Sequence, residues 1–323
     1  MAGGMSGDSP GTPSIEQVED VMRFELSRGD ALLASAQPVL THLLTSGDQV
    51  QFSDEIIARI RGMASHAARQ LLDAVAEADD TLDRDALLAS HREALTETIL
   101  ADNGFLSHAH ALALEVHWTD KLHKRCGLDP VLTPFLQELA ASTDTEIAGA
   151  AMHVLAAQAR FVQQQRRMEL ALGDLPGDLF HRVLLAMRGC HGLPEPAAEQ
   201  AEARLRRTFD EATSRAGQMA HLLLSLGHRA DRALAIDHAG LALFASALAM
   251  ASGQSRDFAI HALGENQLAR LALSLRAAGL SQNALEAQFL LLHPEITLPP
   301  GFDGFSVERA TVLLASARVA GKE

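Results

Sequence analysis

The stretch LAASTDTEIAGAAMHVLA, from Leu139 to Ala156, reads as an apolar helix end, a polar turn and the start of an alanine-rich helix. Thr143 followed by Glu146 has the spacing of a capping box, in which the two side chains satisfy amides that the first helical turn leaves open. The segment predicts a helical hairpin. The rest of the chain repeats its logic.

Upstream, Ser14 with Gln17 predicts a helix over 14–28 that stops at Gly29, and Asp30 predicts the cap of a second over 30–44, split or kinked at Pro38. Ser53 caps a third to about 78, with Ile56, Ile57, Ile60, Met63, Ala67, Leu71 and Val75 as its apolar stripe. Asp83 opens a fourth, and Gly104 separates it from a fifth that ends near Cys126. Asp129 before Pro130 predicts the next start, a cap followed by a residue with its φ preset, running to about Ser142. Downstream, helices are expected over 143–172, 178–189, 195–226, 229–252, 255–263 and 265–278, then from Ser281 to before Pro294 and from Ser306 onward. No segment alternates with β-branched residues, so no sheet is expected. The fold class is all-α: an irregular stack of antiparallel helical hairpins or a large helical bundle.

Composition agrees with helix, since aromatics are scarce, with one Trp and no Tyr, while alanine and leucine dominate. Formal charge is -14, and residues 1–100 hold 17 acids against 7 bases, so the molecule as a whole repels nucleic acid and anionic lipid. Neither is an expected partner. Basic residues are 24 Arg and only 3 Lys, which reflects base composition more readily than function. Two cysteines, Cys126 and Cys190, are too few for a secreted disulfide scaffold, which leaves a reduced cytoplasmic protein as the default. Met1 to Pro13 is Gly, Ser and Pro without an apolar core, and reads as a disordered leader. The run from Ala239 to Gly253 is short for a membrane span and reads as a buried helix. The segment GCHGLPEP, Gly189 to Pro196, is the best candidate linker. It divides an acidic helical-hairpin array over 14–189 from a helical bundle over 190–323, and the two can equally form one continuous unit.

The 139–156 segment resembles a HEAT-type repeat: a leucine-ended first helix, an Asp-containing turn, and a second helix of small residues with a late leucine. Asp144, Ile147, Ala151 and Leu155 occupy the matching places, and the match extends over about 129–165. A fainter similarity joins RLALSLRAAGLS, Arg270 to Ser281, to bacterial families of uncharacterised helical-repeat proteins. No internal period runs through the chain, and helices such as 195–226 are too long for standard units, so an irregular stack is expected and not a regular solenoid. The resemblance implies binding of a protein partner along a curved helical surface, and implies no catalytic residues.

Candidate chemistry is sparse. Fifteen histidines are present, and His108, His110, His117 and His123 lie near Glu115 and Asp120. Residues seven apart share a helix face, so His110 and His117 are the candidate metal ligands, although the stronger spacing of three or four is absent. Solvated or core-edge histidines are the plainer reading, and no metal or cofactor is expected. The set His221, His228, Asp231 and His238 is interrupted by Gly227. SHREALT, Ser90 to Thr96, resembles the phospho-accepting box of sensor histidine kinases and makes His91 a candidate phospho-acceptor, though Arg92 stands where the family places an acid. Cys190 beside His191 is a candidate activated thiol with no third residue to orient it. Arginines 160, 166 and 167, then 204, 206, 207 and 215, are the basic concentrations. Arg160 and Arg167 share a face, as do Arg204 and Arg207; each pair is a solvated face or a dock for an acidic partner.

The expected function is a non-catalytic scaffold or adaptor that binds a protein partner, or its own copy, through a helical groove. The alternative is a small-molecule or metal-binding helical enzyme or sensor with a pocket between helices. A histidine phosphotransfer component using His91 is the third reading.

Overall fold

The computed structural model describes residues 14–46 and 54–320. The leader expected over 1–13 and the cap expected at Ser53 lie outside the described residues. Among those described there are fourteen α-helices and no strand. The protein is all-α.

Helix α1 spans Ile15–Ser46 as one element, so the stop expected at Gly29 and the fresh start at Asp30 are both wrong. Gly29 is buried, and a Cβ there would collide with the Asn266 carbonyl and the Gln267 amide, so the glycine serves close approach and not chain reversal. The Gln267 side chain donates to the Gly29 carbonyl, and the Asp30 carboxylate pairs with Arg270. Pro38 lies inside the same helix.

Helix α2 (Asp54–Ala76) buries Ile60, Met63, Ala67, Leu71 and Val75 of the predicted stripe, while Ile56 and Ile57 at its start are half-buried. Helix α3 (Arg84–Leu100) starts where Asp83 accepts hydrogen bonds from the Asp85 and Ala86 amides. Helix α4 (Asn103–Cys126) runs from a cap at Asp102 to Gly127, whose φ of 69° is the left-handed stop that favours glycine. The hairpin of Leu139 to Ala156 is α5 (Pro134–Ala140) followed by α6 (Thr145–Arg166). Its first helix begins after Thr133, later than Pro130, because the Asp129 carboxylate accepts from the Val131 and Leu132 amides and closes a turn instead. Its second helix is capped by Asp144 and not Thr143. It ends at Arg166, short of 172, because Met168 takes a φ of 57° and the chain folds back over Gly62, where no side chain stands in its way.

Helices α7 (Gly177–Arg188) and α8 (Glu195–Thr208) follow. The single helix expected over 195–226 is broken after α8, and α9 (Arg215–Leu226) starts anew with Ser214 accepting from the Gly217 amide. Next come α10 (Ile236–Ser252), α11 (Arg256–His261), α12 (Leu268–Ala277), α13 (Gln282–Leu292) and α14 (Val307–Ala320). Inside α10, Gly240 has a φ of 75° and packs directly on Thr133. The start of α10 and the cap of α5 are fitted to each other there. Helix α10 buries every residue from Ala239 to Ala249, as its apolar run predicts, and no described helix is long and apolar enough to cross a membrane.

Two apolar cores result. One joins Val18, Met22 and Leu26 of α1 and Trp118 and Leu122 of α4 to helices α5, α6 and α9 to α14. The other joins Leu40 of α1 and Phe105 and Leu106 of α4 to helices α2, α3, α7 and α8. The boundary expected at 189/190 falls inside this second core, since Met187 before it and Ala197 after it are buried together. Helix α4 lies in both cores, and its middle carries a buried polar cluster.

Candidate functional site

Helices α9 and α11 begin with the same pair of residues, Ser214-Arg215 and Ser255-Arg256. In each the serine hydroxyl accepts a first-turn amide, from Gly217 and from Phe258. An arginine at the first helical position opposes the helix dipole, so its charge needs another partner. Both find the same one. The Glu115 carboxylate of α4 receives Arg215 through Nη1 and Nη2 at 2.7 and 2.8 Å, and Arg256 through Nη1 and Nη2 at 2.8 Å each. Glu115 is 1% exposed. The surrounding contacts are equally specific: Arg215 also reaches the Gln158 Oε1, Arg256 donates from Nε to the Ser246 hydroxyl, and the Arg215 guanidinium lies 3.6 Å over the Phe161 ring.

Burial opposes ionisation of Glu115, but the two guanidiniums outweigh it and hold the carboxyl far below the usual range. Burial likewise works against the Arg256 charge, and Glu115 more than restores it. Glu115 is therefore ionised and saturated.

One residue further along α11, Asp257 meets His108 of α4, with His108 Nδ1 2.9 Å from Asp257 Oδ2. Burial raises the Asp257 carboxyl, but His108 beside it brings the net shift downward, so Asp257 is a carboxylate and Nδ1 is the donor. His108 Nε2, at the other side of the ring, is buried and has no hydrogen-bond partner among the described residues. A third rung links the same helices: His110 of α4 and His261 of α11 stand 5.1 Å apart, ring to ring. Burial, then the proximity of His261, pushes His110 down to about 3; burial also lowers His261, against the pull of Asp257. Both imidazoles are neutral at neutral pH.

Beside this cluster lies a cavity of about 150 Å³. Arg215, Arg256, His108 and Asp257 form its polar wall, Leu112, Phe161 and Leu170 its apolar wall, and Asp174 and Glu211 add carboxylates. Asp174 Oδ1 accepts the Arg215 amide, which occupies the positive end of α9. A second cavity, of about 380 Å³, opens between α4 and α6 and includes Asp120 and His123.

The residues singled out in the sequence fall in different places. His110 is buried, whereas His117 is exposed and edge-on to Trp118 at 6.2 Å. Among the described residues no three His, Cys, Asp or Glu side chains are placed to hold a metal ion. His91 is half-buried, with Nδ1 3.1 Å from the Leu87 carbonyl and its ring against Gly192. Burial raises the Cys190 thiol, the opposite of activation. His221 and His228 are exposed, and His238 contacts Arg232 and Glu138. Arg160, Arg167 and Arg207 are exposed, while Arg204 is held by Glu77 and the Ala74 carbonyl. Arg215, grouped with these on a solvated face by its sequence neighbours, is instead buried at 5% exposure. Arg256 and Asp257 belong to none of the motifs or clusters visible in the sequence. The one signal for them is the repeated Ser-Arg at two helix starts, a charge in the wrong place for a surface helix.

No family model matches the chain, and neither a curated protein nor a solved structure matches it.

Proposed function

We propose that this chain binds a small organic molecule in the cavity of about 150 Å³ between α4, α6, α9 and α11, as a helical sensor or enzyme. The observation that carries the reading is the polar wall. Four charged or hydrogen-bonding side chains from three helices are held rigidly at one concave site, and perturbed ionisation concentrates at such places. A cavity of this size holds a benzene-sized ring.

Thermal unfolding with a panel of small amines, acids and neutral compounds tests it. A ligand at about a hundred times its Kd adds about 2.7 kcal/mol to stability, which raises the midpoint by several degrees. Ala216→Trp, at an exposed position on the cavity rim, should remove that gain while leaving the unliganded midpoint nearly unchanged. A gain that persists in Ala216→Trp places the ligand elsewhere and defeats the proposal.

A second reading keeps the scaffold expectation, as a protein that binds a partner or its own copy, and the resemblance to HEAT-type repeats belongs with it. What favours it is the outer side of α1, where Val21, Phe24 and Leu32 are 49%, 67% and 41% exposed. Large apolar side chains gathered on one outward face are a mark of interaction surfaces. Phe24→Glu should then abolish a complex seen by crosslinking of the wild type; equal crosslinking in both removes α1 as the docking helix.

A further inference from the structure

We infer that the ligand of this cavity is a small organic cation, a primary amine or amidine carrying a compact apolar group. The inference rests on the reading of the cavity as a ligand site. Its basis is a count of charges that the burial pattern does not balance.

Two guanidiniums face the cavity, and both are already bound by Glu115 in paired hydrogen bonds. With Glu115 included, four carboxylates (Glu115, Asp174, Glu211 and Asp257) stand against two arginines, a formal excess of two negative charges. An anion would meet guanidiniums whose Nη donors are already engaged by Glu115. It would also face the half-buried carboxylates of Asp174 and Asp257 and the exposed one of Glu211, and like charges repel.

The acceptors point to the same class. Asp174 uses Oδ1 on the Arg215 amide, Glu211 uses Oε2 on the Gly177 amide, and Asp257 uses Oδ2 on His108. Each keeps a second oxygen. His108 adds Nε2, a buried ring nitrogen without a partner among the described residues, on a side chain that is 9% exposed. The three free carboxylate oxygens accept hydrogen bonds, and a molecule rich in N–H donors complements them. A metal ion does not, since no three ligating side chains converge among the described residues. Across the cavity Leu112, Phe161 and Leu170 supply the apolar wall for a ring or branched carbon skeleton.

Calorimetric titration of the full chain with benzylamine, benzoate and toluene, three probes of nearly one size, tests the class. Benzylamine should bind, with benzoate and toluene at least about tenfold weaker, and raised salt should weaken benzylamine. Asp174→Asn and Glu211→Gln keep one acceptor oxygen for the backbone amide but turn the second into an NH2 donor and remove the charge, and each should weaken benzylamine about tenfold with only a small fall in the unfolding midpoint, since each charge also sits at a helix start. Benzoate or toluene binding as tightly as benzylamine, with Ala216→Trp blocking it, overturns the cation and leaves the cavity a ligand site. Binding of none of the three, or binding that Ala216→Trp does not block, overturns both.

Discussion

Urea unfolding of Arg215→Met at neutral pH should show a loss of about 3–5 kcal/mol relative to the unsubstituted chain. The surface pairs give the scale for comparison. Arg23 with Glu19 is an exposed i,i+4 contact at 2.8 Å. Such pairs contribute about 0.3–0.5 kcal/mol. Glu115 differs because water cannot take over when a partner leaves: at 1% exposure its carboxylate would keep only Arg256. The large cost is the loss of two charge-assisted hydrogen bonds at a buried carboxylate that water cannot reach, and not that of a solvated ion pair. It follows that replacing all three groups together, with Glu115→Leu, Arg215→Met and Arg256→Met, should recover most of the loss, since well-packed apolar residues often match a buried triad. A single variant within about 1 kcal/mol of the parent would show that Glu115 is hydrated or protonated and that the cluster is not held by charge. The pH dependence of this contribution is also set. With its carboxyl depressed in the fold, Glu115 stabilises fully above the unfolded-state value and loses that effect as pH falls through the folded value, deep in the acid range.

Loss of stability at milder acidity comes from histidine. Because His110 is lowered to about 3, the unfolded chain takes up a proton near pH 6.5 and the folded chain does not, so its contribution falls as pH drops from 6.5 toward 3. At pH 5 the deficit is about 2 kcal/mol from His110. His261, lowered in the same direction, adds to it. Urea melts at pH 7.5 and pH 5 should therefore show a drop that His110→Leu reduces by about 2 kcal/mol, whatever that substitution costs at pH 7.5. An identical drop in both proteins would mean that His110 protonates within the fold.

The local part of the architecture is legible in the sequence because capping acts within four residues. Asp83, Ser281 and Ser306 are followed by helices where expected, each accepting a first-turn amide. The misleading positions are those whose partners are distant in the chain. Gly29 reads as a stop, but its missing side chain admits Asn266 and Gln267. Asp129-Pro130 reads as a start, but the carboxylate is consumed by a turn. The site is harder still. In the sequence Glu115 stands out only as a neighbour of histidines, and its partners are 100 and 141 positions away. Periodicity carries no information across such a gap, whereas a cation at a helix start does mark a residue whose charge must be answered from outside its own helix.

Helices α1 and α4 each contribute side chains to both cores. Neither core can therefore open by itself without withdrawing a wall from the other. The slowest-exchanging amides of the two cores then share one opening free energy, that of the whole chain, and the polar cluster on α4 sits where this coupling passes. Occupancy of a cavity beside that cluster would be felt as protection at both ends of the molecule, by shared helices alone and with no second conformation required.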